Sequence, residues 1–380
     1  MKKCFVILIT ILIVPYNSSE VIAKEDSTNI VIGKSETIFS SVLNESRTLF
    51  IVCPENYNNT KNRYPVLYVL DAERYFNYTA TLVQFLAQNG RIPQMVIIGI
   101  PNTDRVRDFS YKPCEDDKIS GVDRFFRFLK QELIPFVDEN YRTVPYRIIK
   151  GWCATGVFCI YGLFTYPELF DAYIASSPYL VEDASFIFQM VEDYPKNGLK
   201  SREFIFMSVG GQDRPDAKEE IPKFAALLER EALNGLEWHF KTLATEDHYT
   251  IDIRTFYLGM EALYSDLVFP QKLAGGSFES VRSKIRTLAE QYGFEGYLPE
   301  DMLTEMGYHL LNQECFLEAI TIFKIIVEAY PYSWNAYDSL GEAYMMNGDI
   351  ELAIRNYRKS LELNTENTNA MLMLEKLENE

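Results

Sequence analysis

The segment YPVLYVLDAERYF (Tyr64–Phe76) opens on an almost unbroken apolar run. QMVIIGIPN, FDAYIASSP and REFIFMSVGG repeat the pattern further along. A strand with no polar alternation has to be buried on both faces. RTLFIVCPENY (Arg47–Tyr57) and LEWHFKTLA read as further strands. Between them lie helical stretches: LVQFLAQNG, stopped by Gly90; GVDRFFRFLKQELIPFVDENY, with apolar residues at Phe125, Phe128, Leu129, Leu133, Phe136 and Val137; and EIPKFAALLEREA. Solid strands alternating with helices predict an α/β fold, a mostly parallel sheet with helices on both faces. In such sheets the working groups gather beyond the carboxyl ends of the strands.

One of these units carries a reactive side chain at its apex. In RIIKGWCATG (Arg147–Gly156) a β-branched run climbs into Gly151, Cys153 follows, and ATGVFCIYGLF opens a helix. Strand, sharp turn and helix form a nucleophile elbow, whose usual pattern is G-x-S-x-G. Here Thr155 stands at the second glycine position and Gly156 comes one place late. A thiol at a helix N-terminus beside a histidine is favoured as the thiolate, which is intrinsically nucleophilic.

The partners follow in chain order. His248, in the polar loop TEDHYTID after the last strand, is the candidate base. His239 in LEWHF sits mid-strand and reads as a packed core residue; His309 lies among C-terminal helices and reads as structural. Asp213 in SVGGQDRPD follows the preceding strand and would orient the imidazole. A turn aspartate is the plain alternative, and Asp216 and Asp247 compete for the role. An oxyanion hole needs two backbone N–H groups. Ala154, after the nucleophile, supplies one; the turn after YPVLYVL, at Ala72 or Glu73, supplies the other.

YPVLYVLDAERYF, VIIGIPNTDRVRDF, FLKQELIPFVDENYRT, the elbow, YPELFDAYIASSP and EDHYTI resemble the esterase family of the α/β-hydrolase superfamily, the secreted relatives of enterochelin esterase and esterase D. The resemblance runs from about Arg47 to Phe269. It implies an α/β-hydrolase fold and an ester or thioester hydrolase acting on a small-molecule substrate. The family elbow reads G-H-S-x-G-G; here Trp152 replaces His, Cys153 replaces Ser and Thr155 replaces the first Gly of the pair. The family also carries Gly where Ala72 stands. Three readings of Cys153 follow: a thiol hydrolase with a Cys153–His248–Asp213 site, a catalytically inactive esterase-like binding protein, or a redox pair with Cys114. Arg105 and Arg107 are expected to pair with Asp104 and Asp108, or to meet an anionic substrate.

The chain starts with Lys2 and Lys3, an apolar run from Phe5 to Val14 and small or short residues at Val21–Ala23. This predicts a signal peptide over residues 1–23 and a periplasmic or extracellular location. No later segment is long and apolar enough to span a bilayer. The net charge of −17 argues against nucleic-acid and anionic-membrane partners. After cleavage five cysteines remain, so at least one is free or pairs between chains. With no C-x-x-C and three histidines, neither a metal nor a cofactor is expected.

From Ser277 the text turns helical. Gly307 and Gly341, Ala319 and Ala353, Phe323 and Tyr357, and Pro331 and Thr365 recur at one spacing, about 34 residues, that of a tetratricopeptide unit. Two units and a final helix are too few to stand alone. They are expected to pack on the hydrolase through Ser277–Tyr292 and to offer a concave face to a protein or peptide partner. The expected organisation is 24–270 hydrolase domain, 271–298 connecting helix and 299–380 repeats.

Overall fold

The computed structural model describes residues 31–55, 57–59, 61–113, 118–181, 186–199, 202–267 and 277–379. Eight strands form one sheet: β1 (Lys34–Ser40), β2 (Glu45–Val52), β3 (Tyr64–Leu70), β4 (Val96–Ile100), β5 (Thr143–Trp152), β6 (Ala172–Ser176), β7 (Glu203–Gly210) and β8 (Leu236–Leu243). Their order is β1-β2-β4-β3-β5-β6-β7-β8. The β1–β2 and β2–β4 pairs are antiparallel; every other pair is parallel. The unbroken apolar runs predicted two-sided burial, and β3, β4, β6 and β7 are buried along their whole length.

The helices interleaved with these strands are α1 (Ala72–Gln88), α2 (Arg105–Asp108), α3 (Gly121–Phe128), α4 (Ile134–Asn140), α5 (Ala154–Thr165), α6 (Phe186–Glu192), α7 (Pro215–Glu231) and α8 (Ile251–Leu263). A π turn at Leu129–Leu133 joins α3 to α4 just before Pro135, which has no N–H to donate. One hydrophobic core lies on the sheet face under α1 and α8; a second lies on the opposite face with α3 to α7.

Two expectations from sequence need correction here. The strand read as Tyr64–Phe76 stops at Leu70, and α1 starts at Ala72 rather than near Leu82. Buried residues 72, 75, 76, 79, 80, 83 and 86 fall at helical spacing, a period that the aromatic residues of AERYFNY masked. His239 lies on β8, an edge strand, and its side chain is 42% exposed and paired with Glu237 at 3.2 Å.

Beyond α8 come α9 (Phe278–Gln291), α10 (Glu300–Asn312), α11 (Phe316–Ala329), α12 (Trp334–Asn347), α13 (Ile350–Leu363) and α14 (Thr368–Asn379). The 34-residue repeat has a packing basis. A Cβ at Gly307 would come within 2.5 Å of the Phe323 ring, and one at Gly341 within 3.0 Å of Tyr357. Each small residue lets the aromatic of the next helix lie across it. Tyr292 is buried between Tyr146 and Tyr264, and its hydroxyl donates to the Leu263 carbonyl at 3.0 Å. The core under α1 and α8 therefore continues through α9 into the array. Among the described residues no helix is long and apolar enough to cross a membrane.

Candidate active site

Five neighbouring parallel strands each end on a residue of the site. In sheet order these are Asp71 after β3, Cys153 after β5, Ser177 after β6, Asp213 after β7 and His248 after β8. Register keeps them level, since Trp152 pairs with Ser176 and Ser176 with Ser208. Three of the five are non-glycine residues at positive φ: Asp71 at 50°, Cys153 at 57° and Ser177 at 42°. Such conformations cost free energy and persist where the surroundings enforce them.

The elbow is enforced by close contact. A Cβ on Gly151 would meet the Thr155 carbonyl oxygen at 2.2 Å, so only glycine lets strand and helix fold back so tightly. Cys153 N–H donates to the Ser176 carbonyl at 3.0 Å, and Cys153 occupies the N-cap position of α5. The positive end of a helix favours negative charge at that place. The thiol is free and partly exposed.

His248 is almost fully buried, and its Nδ1 lies 3.0 Å from Asp213 Oδ1 and 2.9 Å from Ser177 Oγ. With Nδ1 so occupied, Nε2 is the nitrogen left to serve Cys153, which acts on the ring. Burial disfavours the charged ring, but hydrogen bonds to Asp213 and Cys153 and the charges of both outweigh it, lifting its pKa from 6.5 to about 9. Asp213 shows the mirror effect. Burial works to raise its pKa, and donors from His248, Ser177 and the Arg214 N–H bring it below the ordinary value.

The structure brings together Cys153, His248 and Asp213. Asp216 instead lies in the first turn of α7 with Arg214 at 3.7 Å, and Asp247 accepts the N–H groups of Tyr249 and Thr250. Ala72 and Ala154 are the first residues of α1 and α5, where N–H groups have no intrahelical acceptor. His309 bonds to Gln313 within α10. Cys114, the residue a redox pair would need, lies outside the described residues.

Thr155, at a glycine position of the motif, is bonded into the turn. Its Oγ1 accepts from Trp152 N–H at 2.8 Å and donates to Asp71 Oδ2 at 2.7 Å. Asp71 also takes Arg105 Nε and Asn102 Nδ2, each at 2.6 Å. Arg105 therefore pairs with Asp71, not with its neighbours in sequence, while Arg107 pairs with Glu45 and Asp108, and Asp104 caps α2. Trp152 is likewise accommodated: its Nε1–H donates to the His248 carbonyl at 2.5 Å and its ring lies 4.6 Å from the imidazole. Sequence reasoning missed Ser177, which stands in an ordinary Ser-Ser-Pro after the strand that follows the elbow.

The family model described as "Putative esterase" matches residues 40–235, just over half of the chain, and a tetratricopeptide repeat model matches residues 334–367. The chain is 31% identical over 153 residues to "Uncharacterized protein YjcH" of Bacillus subtilis (strain 168), a match covering 39% of this chain and 62% of that relative. It is 26% identical over 262 residues to "Ferri-bacillibactin esterase BesA" of the same organism, covering 59% of this chain and 88% of that one. An IroE-like serine hydrolase from Shewanella oneidensis superposes with a TM-score of 0.67 at 24% identity, over 78% of this chain and 99% of that chain, which shows the shared fold. The chain therefore belongs to the esterase family of α/β-hydrolase proteins and carries a tetratricopeptide repeat at its C-terminal end.

Proposed function

We propose that the protein hydrolyses a carboxylic ester or thioester of a small molecule through a cysteine nucleophile. The observation that carries this reading is the Cys153–His248–Asp213 chain at the carboxyl edge of the sheet, with the cysteine at positive φ at the start of a helix. His248 holds the proton taken from Cys153. The thiolate attacks the acyl carbon, an S–C bond forms, and the carbonyl oxygen becomes an oxyanion held by the N–H groups of Ala154 and Ala72. Collapse breaks the bond to the leaving group, which takes the proton from His248 Nε2. Water then gives a proton to His248 and attacks the thioester, and the C–S bond breaks to return the thiolate.

A histidine with its pKa near 9 suits this order. It is charged at neutral pH and ready to donate to the leaving group. Iodoacetamide should label Cys153 faster than Cys53, Cys159 or Cys315, and His248→Ala should slow that labelling. Labelling of Cys153 no faster than that of the other thiols, with no effect of His248→Ala, would favour an inactive binding protein.

The Lys2–Lys3 start and the apolar run Phe5–Val14 support a further part of this proposal, a location outside the cytoplasm. Residues 1–23 act as the export signal, so N-terminal sequencing of exported protein should begin at Lys24. Residues 24–270 carry the chemistry, 271–298 connect, and the repeats of 299–380 present a face for a protein or peptide partner. Deleting Met302–Glu380 separates this from a purely structural brace: loss of solubility marks the brace, and intact folding with the partner lost in pull-down marks binding.

A further inference from the structure

We propose that Ser177 is a positioning residue of the site, one that fixes the tautomer of His248 and stabilises its charged form. This rests on the hydrolase reading above and deepens it. Ser177 is fully buried, and its N–H donates to the Ser208 carbonyl at 3.0 Å. Its backbone stays at a φ of 42°, which a serine adopts only under constraint. The hydroxyl reaches two members of the site: Asp213 Oδ2 at 2.6 Å and His248 Nδ1 at 2.9 Å.

A hydroxyl has one proton. Asp213 is a carboxylate and only accepts, so that proton goes to Oδ2. A lone pair of Ser177 Oγ then faces Nδ1, and Nδ1 must carry hydrogen. It shares that hydrogen between Ser177 Oγ and Asp213 Oδ1. The mobile proton is left to Nε2, the nitrogen toward Cys153. Two acceptors on Nδ1–H stabilise the imidazolium more than one, and Ser177 also holds the second carboxylate oxygen in the plane that His248 needs. Among the described residues, Asp213, Cys153 and Tyr249 are titratable groups facing the ring; Trp152 is its other aromatic neighbour, and Arg74 lies over the Trp152 and Tyr249 rings. Ser177 thus lets the histidine keep the nucleophile's proton until the leaving group takes it.

The test is the His248 titration in the full chain, read by histidine ring NMR, with the His248→Gln spectrum identifying the signal among the three histidines. Ser177→Ala removes the hydroxyl, and Ser177→Gly removes it while also relieving the positive φ. Both should lower the His248 pKa by about one unit, the scale of one hydrogen bond to a charged group. Both should also move the alkaline limb of Cys153 alkylation downward by the same amount. A merely structural serine predicts that Ala and Gly differ and that the titration stays put; an unmoved titration in folded Ala and Gly variants would overturn the proposal. Ester turnover that survives Cys153→Ala would instead remove the hydrolase reading beneath it, and the proposal with it.

Discussion

Thr155 Oγ1 lies 2.7 Å from Asp71 Oδ2, and this bond ties the turn after β5 to the turn after β3. Those turns carry Ala154 and Ala72, the two N–H groups assigned to the oxyanion. The residue that breaks the elbow motif therefore links the two halves of the proposed hole. Thr155→Val keeps the shape and removes the bond, leaving the buried Asp71 short of a donor. Ester turnover should fall by roughly tenfold in kcat, about 1.4 kcal/mol, with KM little changed. Thr155→Ser should recover most of it. Steady-state kinetics on a p-nitrophenyl ester decides.

The His248 shift fixes the pH behaviour. Its folded pKa, about 9, lies above the 6.5 of the free side chain. The group therefore adds stability that is fully present below pH 6.5 and is lost as pH rises through 9. The melting temperature of wild type should exceed that of His248→Gln at pH 6, and the gap should close by pH 10. Turnover should fall on the alkaline side near pH 9, as the proton for the leaving group is lost. Thermal melts and a kcat profile from pH 5 to 10 measure both.

Lys150 and Asp252 form a buried pair at 2.5 Å, three residues before Cys153 and four after His248. Tyr78 also donates to Asp252, and Lys150 Nζ lies 3.2 Å from Thr79 Oγ1. The pair pins β5 to the start of α8. Lys150→Met strands a buried carboxylate and should destabilise by about 3–5 kcal/mol. Adding Asp252→Leu should return most of the loss. Urea denaturation of the single and double variants tests this.

The continuous core predicts cooperative unfolding. Tyr292, Tyr264 and Tyr146 interlock at ring distances of 4.9 to 6.5 Å between the helical array and the sheet. Calorimetry should show one transition spanning both parts. Tyr292→Ala should split it or lower it by several degrees, since a large buried side chain is lost.

How much of this the sequence disclosed varies by element. The buried strands were legible because a run such as VIIGI has no polar alternation. The elbow was legible because glycine, an apical cysteine and a helix occur in local order. The start of α1 was hidden by aromatics that suit strand and helix alike. Ser177 and the Asp71–Thr155 bond were hidden for another reason: they depend on register between strands far apart in sequence, and Ser-Ser-Pro carries no local mark of it. Asp213 stood level with a turn aspartate until its distance to His248 could be read.

The central claim is covalent catalysis by Cys153. Its direct test is intact and peptide mass spectrometry of the full chain quenched in acid during turnover of p-nitrophenyl acetate, beside the rates of Cys153→Ala. The account predicts one acetyl group mapped to the peptide containing Cys153, and no turnover or adduct in Cys153→Ala. Turnover that survives Cys153→Ala, or a wild-type protein showing neither adduct nor turnover with any acyl substrate tried, would contradict it.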